Sequence, residues 1–351
     1  MGFNRARIAI TGKRWASTAA AVVVGATMLA ACGTAEPAAS TGSNPSAAGT
    51  FPTTVEHFFG STEIKEAPKR VVSLGYTDDQ AMLALGVKPV GMVDQYPNPD
   101  GQSPDINTQW PWVKAAWGDT KPEVVMKNGD TEPNYEKIAE LRPDLIVAVY
   151  SEVDQAWYDR LSKIAPVVGR TKAEKEPFSA KWQDNALQIA KALGQEAQGA
   201  KLIKGIDDKL AAVKKDHPEY ATKTAVATSW YKDAVAPFTT TDVRGQLLTG
   251  MGFKGATEID KIADGKFYTL LSPERIDLIN VDQIFVIGDT ADQTSLKNFP
   301  LFANLPAVRD GKVSYLLDSE GPAAGAAMSQ ATLLSLPYAI DEIVKSVKSV
   351  K

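Results

Sequence analysis

Two stretches of the chain spell one pattern. Glu136 to Val149 reads EKIAELRPDLIVAV and Glu274 to Ile287 reads ERIDLINVDQIFVI. Both have the form E-[KR]-I-x-x-[LI]-x-x-D-x-I, with the second glutamate 138 positions after the first. Each spacing predicts a short helix, a turn at the aspartate (Asp144, Asp282) and an apolar strand. LIVAV and IFVI are uninterrupted apolar runs, as expected of parallel strands covered by helices on both faces. Residues 70–87, RVVSLGYTDDQAMLALGV, read as strand, polar turn and helix. KTAVATSWYKDAV and GQLLTGMGF, within 223–253, follow a similar order. The repetition argues for duplication rather than chance, and so for two α/β lobes of similar plan.

Midway between the copies lies QEAQGAKLIKGIDDKLAAVKK, residues 195–215. Ala197, Ala200, Ile203, Ile206, Leu210 and Val213 recur at three or four, which predicts an amphipathic helix. Gly199 and Gly205 each cost it about 1 kcal/mol against alanine. Its position suggests a single rod connecting the lobes.

The N-terminus has a different character. Residues 1–31 carry Arg5, Arg7, Lys13 and Arg14, no acid, and an apolar run from Ala16 to Ala31. This is the make-up of an export signal. The run is shorter than the roughly 20 residues a permanent membrane helix needs. Leu29-Ala30-Ala31-Cys32 resembles a bacterial lipobox, which implies that Cys32 is lipidated and becomes the first residue of the mature chain. Cys32 is the only cysteine, so no internal disulfide forms and a hydrophobic core must hold the fold. Residues 33–50, GTAEPAASTGSNPSAAGT, are small, polar and too poor in apolar side chains to fold, which predicts a tether, with ordered sequence from Phe51 or Val55.

Removing residues 1–31 from 351 leaves 320, enough for two lobes. It also removes four of the 38 basic residues and none of the 42 acidic ones, leaving 34 against 42, a net charge of −8. That balance argues against nucleic acid and against a basic membrane-binding face. The body offers no further long apolar segment, so the lipid alone is expected to hold it. Buried acyl chains contribute about 0.8 kcal/mol per methylene, and stable anchoring needs more than one chain.

The chain resembles the extracytoplasmic substrate-binding proteins of iron-siderophore, haem and cobalamin importers of the ABC type. The resemblance covers nearly the whole mature chain and rests on Pro68-Lys-Arg-Val-Val-Ser-Leu74, Leu85-Gly-Val-Lys-Pro-Val-Gly91, Glu132-Pro-Asn-Tyr-Glu-Lys-Ile138, Leu141-Arg-Pro-Asp-Leu-Ile146, the Ser272-Pro-Glu-Arg275 repeat and a closing helix at 336–347. It implies two Rossmann-like α/β lobes joined by a single long helix, with the ligand cleft between them and little closure. The expected division is a signal peptide (1–31), a tether (32–52), an N-terminal lobe (53–194), the connecting helix (195–216) and a C-terminal lobe (217–351). The resemblance also implies that Glu136 and Glu274, one per lobe, project into arginine pockets of a permease. Physically, both stand in the first turn of an expected helix, where a carboxylate also complements the helix dipole.

In open α/β sheets ligands bind beyond the carboxyl ends of the strands. Those ends offer Tyr76, Tyr150, Trp230 and Tyr231; the 110–112 loop adds Trp110 and Trp112, and Arg244 opens a helix after TTTDV. Flat aromatic faces suit a bulky, partly apolar chelate, and an arginine supplies paired donors to its oxygens. Packing explains such aromatics equally well. Hydroxamate-binding relatives often carry an arginine before E-P-N; Thr131 stands there instead, which leaves the chelate class open.

Two histidines, His57 and His217, form no ligand pair, so no resident metal or cofactor is expected. There is no G-x-S-x-G elbow and no phosphate-cradling or dinucleotide glycine motif. Asp78-Asp79 and Asp207-Asp208 are adjacent acids, read as solvated faces rather than acid/base couples. The expected function is a lipid-anchored, monomeric, extracytoplasmic receptor at the cell membrane that binds a ferric siderophore and works with an ABC permease and its ATPase. Haem, cobalamin or ferric citrate are the alternative cargoes. A secreted α/β hydrolase and a purely structural envelope protein are the readings from other classes.

Overall fold

The computed structural model describes residues 49–96, 106–318 and 321–347. The signal peptide, Cys32 and tether residues 33–48 lie outside these. A hairpin of β1 (Thr53–His57) and β2 (Gly60–Ile64) comes first. It is tied to the body where Phe58 N–H donates to Arg170 O at 2.9 Å.

Five short strands follow: β3 (Val71–Ser73), β4 (Gly91–Asp94), β5 (Glu123–Lys127), β6 (Leu145–Val147) and β7 (Val167–Val168). They form an all-parallel sheet in the order β5-β4-β3-β6-β7. The chain turns one way from β3 to β4 and the other way to β6, which makes a switch point between β3 and β6. The second sheet repeats the plan with β8 (Thr224–Tyr231), β10 (Lys254–Gly255), β11 (Gln283–Gly288) and β12 (Val313–Leu317) in the parallel order β10-β8-β11-β12. Strand β9 (Ala234–Pro237) folds back antiparallel on β8 through Lys232-Asp233, both at positive φ, as a two-residue hairpin turn requires.

The sequence repeat now has a structural reason. Asp144, ahead of β6, accepts the backbone N–H groups of Lys69 and Arg70 at 2.8 and 2.9 Å. Asp282, ahead of β11, accepts the N–H of Thr224 at 2.8 Å. In each sheet the repeated aspartate ties the start of one central strand to the start of its neighbour. The two copies differ in their helices. The first forms an α-helix, Tyr135–Glu140, capped by Asn134; the second is a 3-10 helix, Pro273–Ile279, with proline in its first turn.

Alternate strand residues divide most of the core among three clusters, and a fourth gathers Leu83, Met92, Trp110 and Val113. Val72, Ile138, Ile146 and Leu161 pack on the outer side of the first sheet, and Val226, Ile284, Val286 and Phe302 on the outer side of the second. The inward residues Val71, Leu145 and Val147 of the first sheet, and Ala225, Ala227, Phe285 and Ile287 of the second, belong to one continuous cluster. That cluster also takes in Ile206, Leu210 and Val213 of the 21-residue helix Glu196–Asp216 and Leu336, Ile340 and Ile343 of the helix Ser335–Ser346. At 1.5 Å per residue the longer helix runs about 30 Å. Its first turns differ from the expected stripe. Ala197 and Ala200 are exposed, and Gly199 is buried because an added Cβ would stand 2.4 Å from Ala190 Cβ. Glycine here permits close approach to the helix Trp182–Ala192, whereas Gly205 faces open space.

At the switch point, Gly75 lets the Asp78 carboxylate lie against the backbone. Asp78 accepts the N–H groups of Val149 and Tyr150 at 2.6 and 3.0 Å, and Tyr76 N–H donates to Tyr150 O at 2.9 Å. A Cβ on residue 75 would meet Asp78 Oδ2 at 2.1 Å. Gly75→Ala should therefore cost about 1–3 kcal/mol in chemical denaturation, typical of overpacking; an unchanged midpoint would show that Asp78 does not need this approach.

Candidate functional site: an aromatic cleft between two sheets

The carboxyl ends of both sheets face a shared crevice. Tyr150, one residue past the buried run after β6, is 9% exposed, and Tyr76 is half-buried beside it. Tyr76 OH donates to Glu152 Oε2 at 3.4 Å. Burial, and then the Glu152 charge, push the Tyr76 phenol up to about 12; burial and Asp242 push Tyr150 up as well. Both phenols are therefore neutral donors at neutral pH.

Arg244 enters from the other side. Asp242 caps the helix Val243–Gly250 by accepting Arg244 N–H at 2.9 Å. The same carboxylate receives the guanidinium edge-on, Nε to Oδ1 at 2.8 Å and Nη2 to Oδ2 at 3.0 Å. The guanidinium carbon lies 3.6 Å from the centre of the Phe238 ring. Asp242 is fully buried and the Arg244 side chain is 11% exposed. Burial pushes Asp242 up while Arg244 pulls it back; the carboxylate in turn raises Arg244, so the guanidinium stays charged. Arg244 and Tyr150 perturb each other, and Tyr96 and Asp318 belong to the same electrostatic neighbourhood.

Residues that the sequence did not single out complete the crevice. Phe178, at φ +68, sits 4.8 Å from Tyr150, 5.9 Å from Tyr76 and 5.6 Å from Phe267 across the crevice, ring centre to ring centre. Phe267 continues to Tyr268 at 4.8 Å, and Tyr268 to Tyr231 at 6.1 Å. Tyr231 is 45% exposed at the rim. The Phe178 backbone is unusual for an aromatic, and its loop is held by Glu174, whose Oε1 accepts Ser179 N–H at 3.1 Å. Arg170 buttresses this loop through Glu174 O and Val153 O, with its guanidinium 3.6 Å from the Phe58 ring centre. An isolated aromatic after Glu-Pro in a polar stretch, KEPFS, was the only sequence signal. Beneath the rings, a narrow recess of about 20 Å³, room for about one water molecule, is lined from both sheets' sides, by Asp78, Tyr150, Trp182 and Asn185 on one and Val243 and Gln330 on the other.

Three expected ligand aromatics pack elsewhere. Trp110 is 3% exposed and lies among Leu83, Met92, Val113 and Ala326, stacked 5.2 Å from Trp112. Trp112 bridges the halves: its indole N–H reaches Gln80 Oε1 at 3.0 Å and Gln330 Oε1 at 3.2 Å, beside a Gln80–Gln330 hydrogen bond of 2.5 Å. Trp230 points to the outer core, 5.3 Å from Phe299. Strand alternation explains the last case, since Trp230 and Tyr231 must face opposite sides.

Asp78 and Asp79 correct a further expectation, because both are buried rather than solvated; Asp207 and Asp208 are exposed. Glu136 and Glu274 are exposed at matching places, ahead of β6 and β11. The own backbone N–H and the Ser272 side chain hold Glu274 below the usual carboxylate range. Among the described residues no cluster of His, Cys, Asp and Glu could hold a metal ion, and no helix is long and apolar enough to cross a membrane.

A model of the periplasmic binding protein family matches residues 71–320. The chain belongs to that family. A probable siderophore-binding lipoprotein of Bacillus subtilis is 28% identical over 311 residues, covering 85% of this chain and 89% of the relative. A periplasmic solute binding protein from Mycobacterium smegmatis superposes with a TM-score of 0.71 at 30% identity, over 84% of this chain and 96% of that one. Staphylococcus aureus SirA complexed with staphyloferrin B gives 0.68 at 30% identity, over 84% and 98%. The two α/β lobes joined by the long helix are thus the family's architecture.

Four buried acids give the body a distinctive pH response. Burial pushes Asp78 up to about 6 and Asp79, also repelled by Asp78, to about 7; burial likewise raises Glu174 and Asp318 to about 7. Each binds a proton more readily folded than unfolded, so its contribution is fully present below an unfolded value near 4 and is lost as pH rises through about 6–7. The melting temperature should be higher at about pH 5.5 than at about pH 7.5, by a few degrees. A melting temperature that falls on acidification over that interval would contradict the assignment.

Proposed function

We propose that the chain is the substrate-binding component of an ABC importer, anchored outside the cytoplasm through lipidated Cys32, and that it captures a ferric siderophore in the cleft between its lobes. The observation that carries this reading is the meeting of Tyr76, Tyr150 and Phe178 from one lobe with Arg244 and Phe267 from the other at the carboxyl ends of both sheets. Aromatic faces cover the organic backbone of a chelate, while Arg244 and the neutral phenols donate to its oxygens. Relatives named for siderophore binding, and a solved neighbour holding staphyloferrin B, support the cargo class. Sequence similarity to binding proteins also favours capture without chemical change over hydrolysis. The protein acts as a monomer, and Glu136 and Glu274 dock it to the permease, because each projects from the same position of its lobe into solvent.

Six of the seven tryptophans lie beyond residue 31 and report binding by fluorescence. Ferric chelates should quench saturably and their iron-free forms much less. Arg244→Ala should weaken binding by about tenfold or more, as expected for a charge-assisted contact. Glu136→Ala combined with Glu274→Ala should leave that affinity intact and abolish iron uptake by cells. Quenching by haem or cobalamin alone would redirect the cargo, and unchanged uptake in the double variant would remove the docking role.

A further inference from the structure

Two glutamines 250 positions apart meet where the lobes face each other, with Gln80 Nε2 donating to Gln330 Oε1 at 2.5 Å. Gln80 Oε1 accepts the Trp112 indole N–H at 3.0 Å and the Thr332 hydroxyl at 2.8 Å, and the same indole N–H reaches Gln330 Oε1 at 3.2 Å. Only an amide oxygen can take two donors while its nitrogen donates, so the Gln80 amide has one orientation. Gln80, Gln330 and Thr332 are all buried. Each end of this link is tied to a cleft residue. Gln80 lies on the helix Asp78–Ala84, two residues after the aspartate that holds the Tyr150 backbone. Gln330 ends the helix Ala324–Gln330, every residue of which is buried, and lines the same recess as Val243, the residue before Arg244. The residues flanking that helix, Ala323 and Ala331, have φ of +48 and +46. Alanine disfavours this left-handed backbone, so the surrounding structure must hold both ends in place. The link therefore runs from the support of Tyr150 in one lobe to the support of Arg244 in the other.

Apolar burial holds the lobes together but is non-directional. Hydrogen bonds between enclosed amides favour one distance and one angle, and a satisfied network in a low-dielectric interior specifies a single arrangement. A binding site needs its side chains held to within about 0.5 Å. Granted the receptor reading above, we propose that Gln80 and Gln330 are positioning residues for chelate binding: their link sets the register between Tyr150 and Arg244, and neither glutamine touches the chelate. Trp112 and Thr332 brace the link, and Trp112 is itself braced from both lobes, 5.2 Å from Trp110 and 5.2 Å from Tyr338, ring centre to ring centre.

The test compares Gln80→Met and Gln330→Met with Phe302→Leu, which thins the outer core of the second lobe and leaves the link intact. Calorimetric titration of the full chain with a ferric trishydroxamate, ferric citrate and a ferric triscatecholate finds the tightest binder, and each variant is titrated with it well below its melting temperature. Each glutamine variant should weaken binding by about tenfold, as for residues that act on a site they do not touch. Combining the two should cost no more than either alone, because each breaks the same link. Phe302→Leu should lower the melting temperature and leave affinity unchanged. Register is read without ligand from spin labels at Lys163→Cys and Ser295→Cys, one exposed position in each lobe, with the single native cysteine removed as Cys32→Ser. Gln330→Met should shift or broaden the distance between the labels, and Phe302→Leu should not. If the glutamine variants fold poorly, Trp112→Phe keeps a ring, removes the shared N–H and should change affinity and distance in the same direction. Unchanged affinity or an unchanged label distance overturns the inference and leaves the receptor reading standing. Failure of every chelate to bind the unaltered chain overturns both.

Discussion

Burial of the inward faces of both sheets in a single cluster governs this molecule. Val71, Leu145 and Val147 on one side, and Ala225, Phe285 and Ile287 on the other, share that cluster with the helix Glu196–Asp216 and the helix Ser335–Ser346. Close-packed interiors resist deformation, so lobes that share a core cannot swing apart as freely as lobes joined by loops. Rigidity at the base places the crevice at the opposite, carboxyl ends of the strands. Polar contacts reinforce it from two directions. Gln246 accepts Trp182 N–H at 3.3 Å and donates to Ala180 O at 3.1 Å, and Thr332 Oγ1 donates to Gln80 Oε1 at 2.8 Å within the Gln80–Gln330–Trp112 group.

On this base, three of the cleft residues are set by buried acids. Asp78 fixes the Tyr150 backbone, Asp242 fixes the Arg244 guanidinium, and Glu174 fixes the Phe178 loop. Keeping carboxylates out of water is unfavourable, which is why burial raises all three. What they supply in return is position: an arginine and two aromatics presented in one orientation before any ligand arrives, so little ordering is left for binding to impose.

The architecture was legible because its signals are periodic. The repeat around Asp144 and Asp282 reflects a backbone hydrogen bond that both sheets need, and the spacing of Ile206, Leu210 and Val213 marks the buried stripe of the connecting helix. A topological rule that depends only on where strands end brings Tyr76 and Tyr150 to the crevice, and Arg244 was singled out as the charge opening a helix after a polar stretch. The rule reaches no further than one residue's facing, and so Trp230 was placed with Tyr231 although alternation turns it to the outer core. Trp110 and Trp112 pack inward because Ala323 and Ala326, over 200 positions away, close over their loop, which the loop sequence does not reveal. Phe178 and Phe267 were missed for the same reason: their meeting is a long-range contact between two polar loops. Asp78 looked solvated because the backbone groups it satisfies lie about 70 positions on.

A crystal structure of the chain with a bound ferric chelate tests this arrangement most directly. A shared core and preset side chains place the chelate between Tyr150 and Arg244, with Phe178 and Phe267 moved aside by the ligand and the two sheets superposing on their unliganded positions as one body. Density for the chelate anywhere else, or sheets that rotate apart through a broken inner cluster, would contradict it.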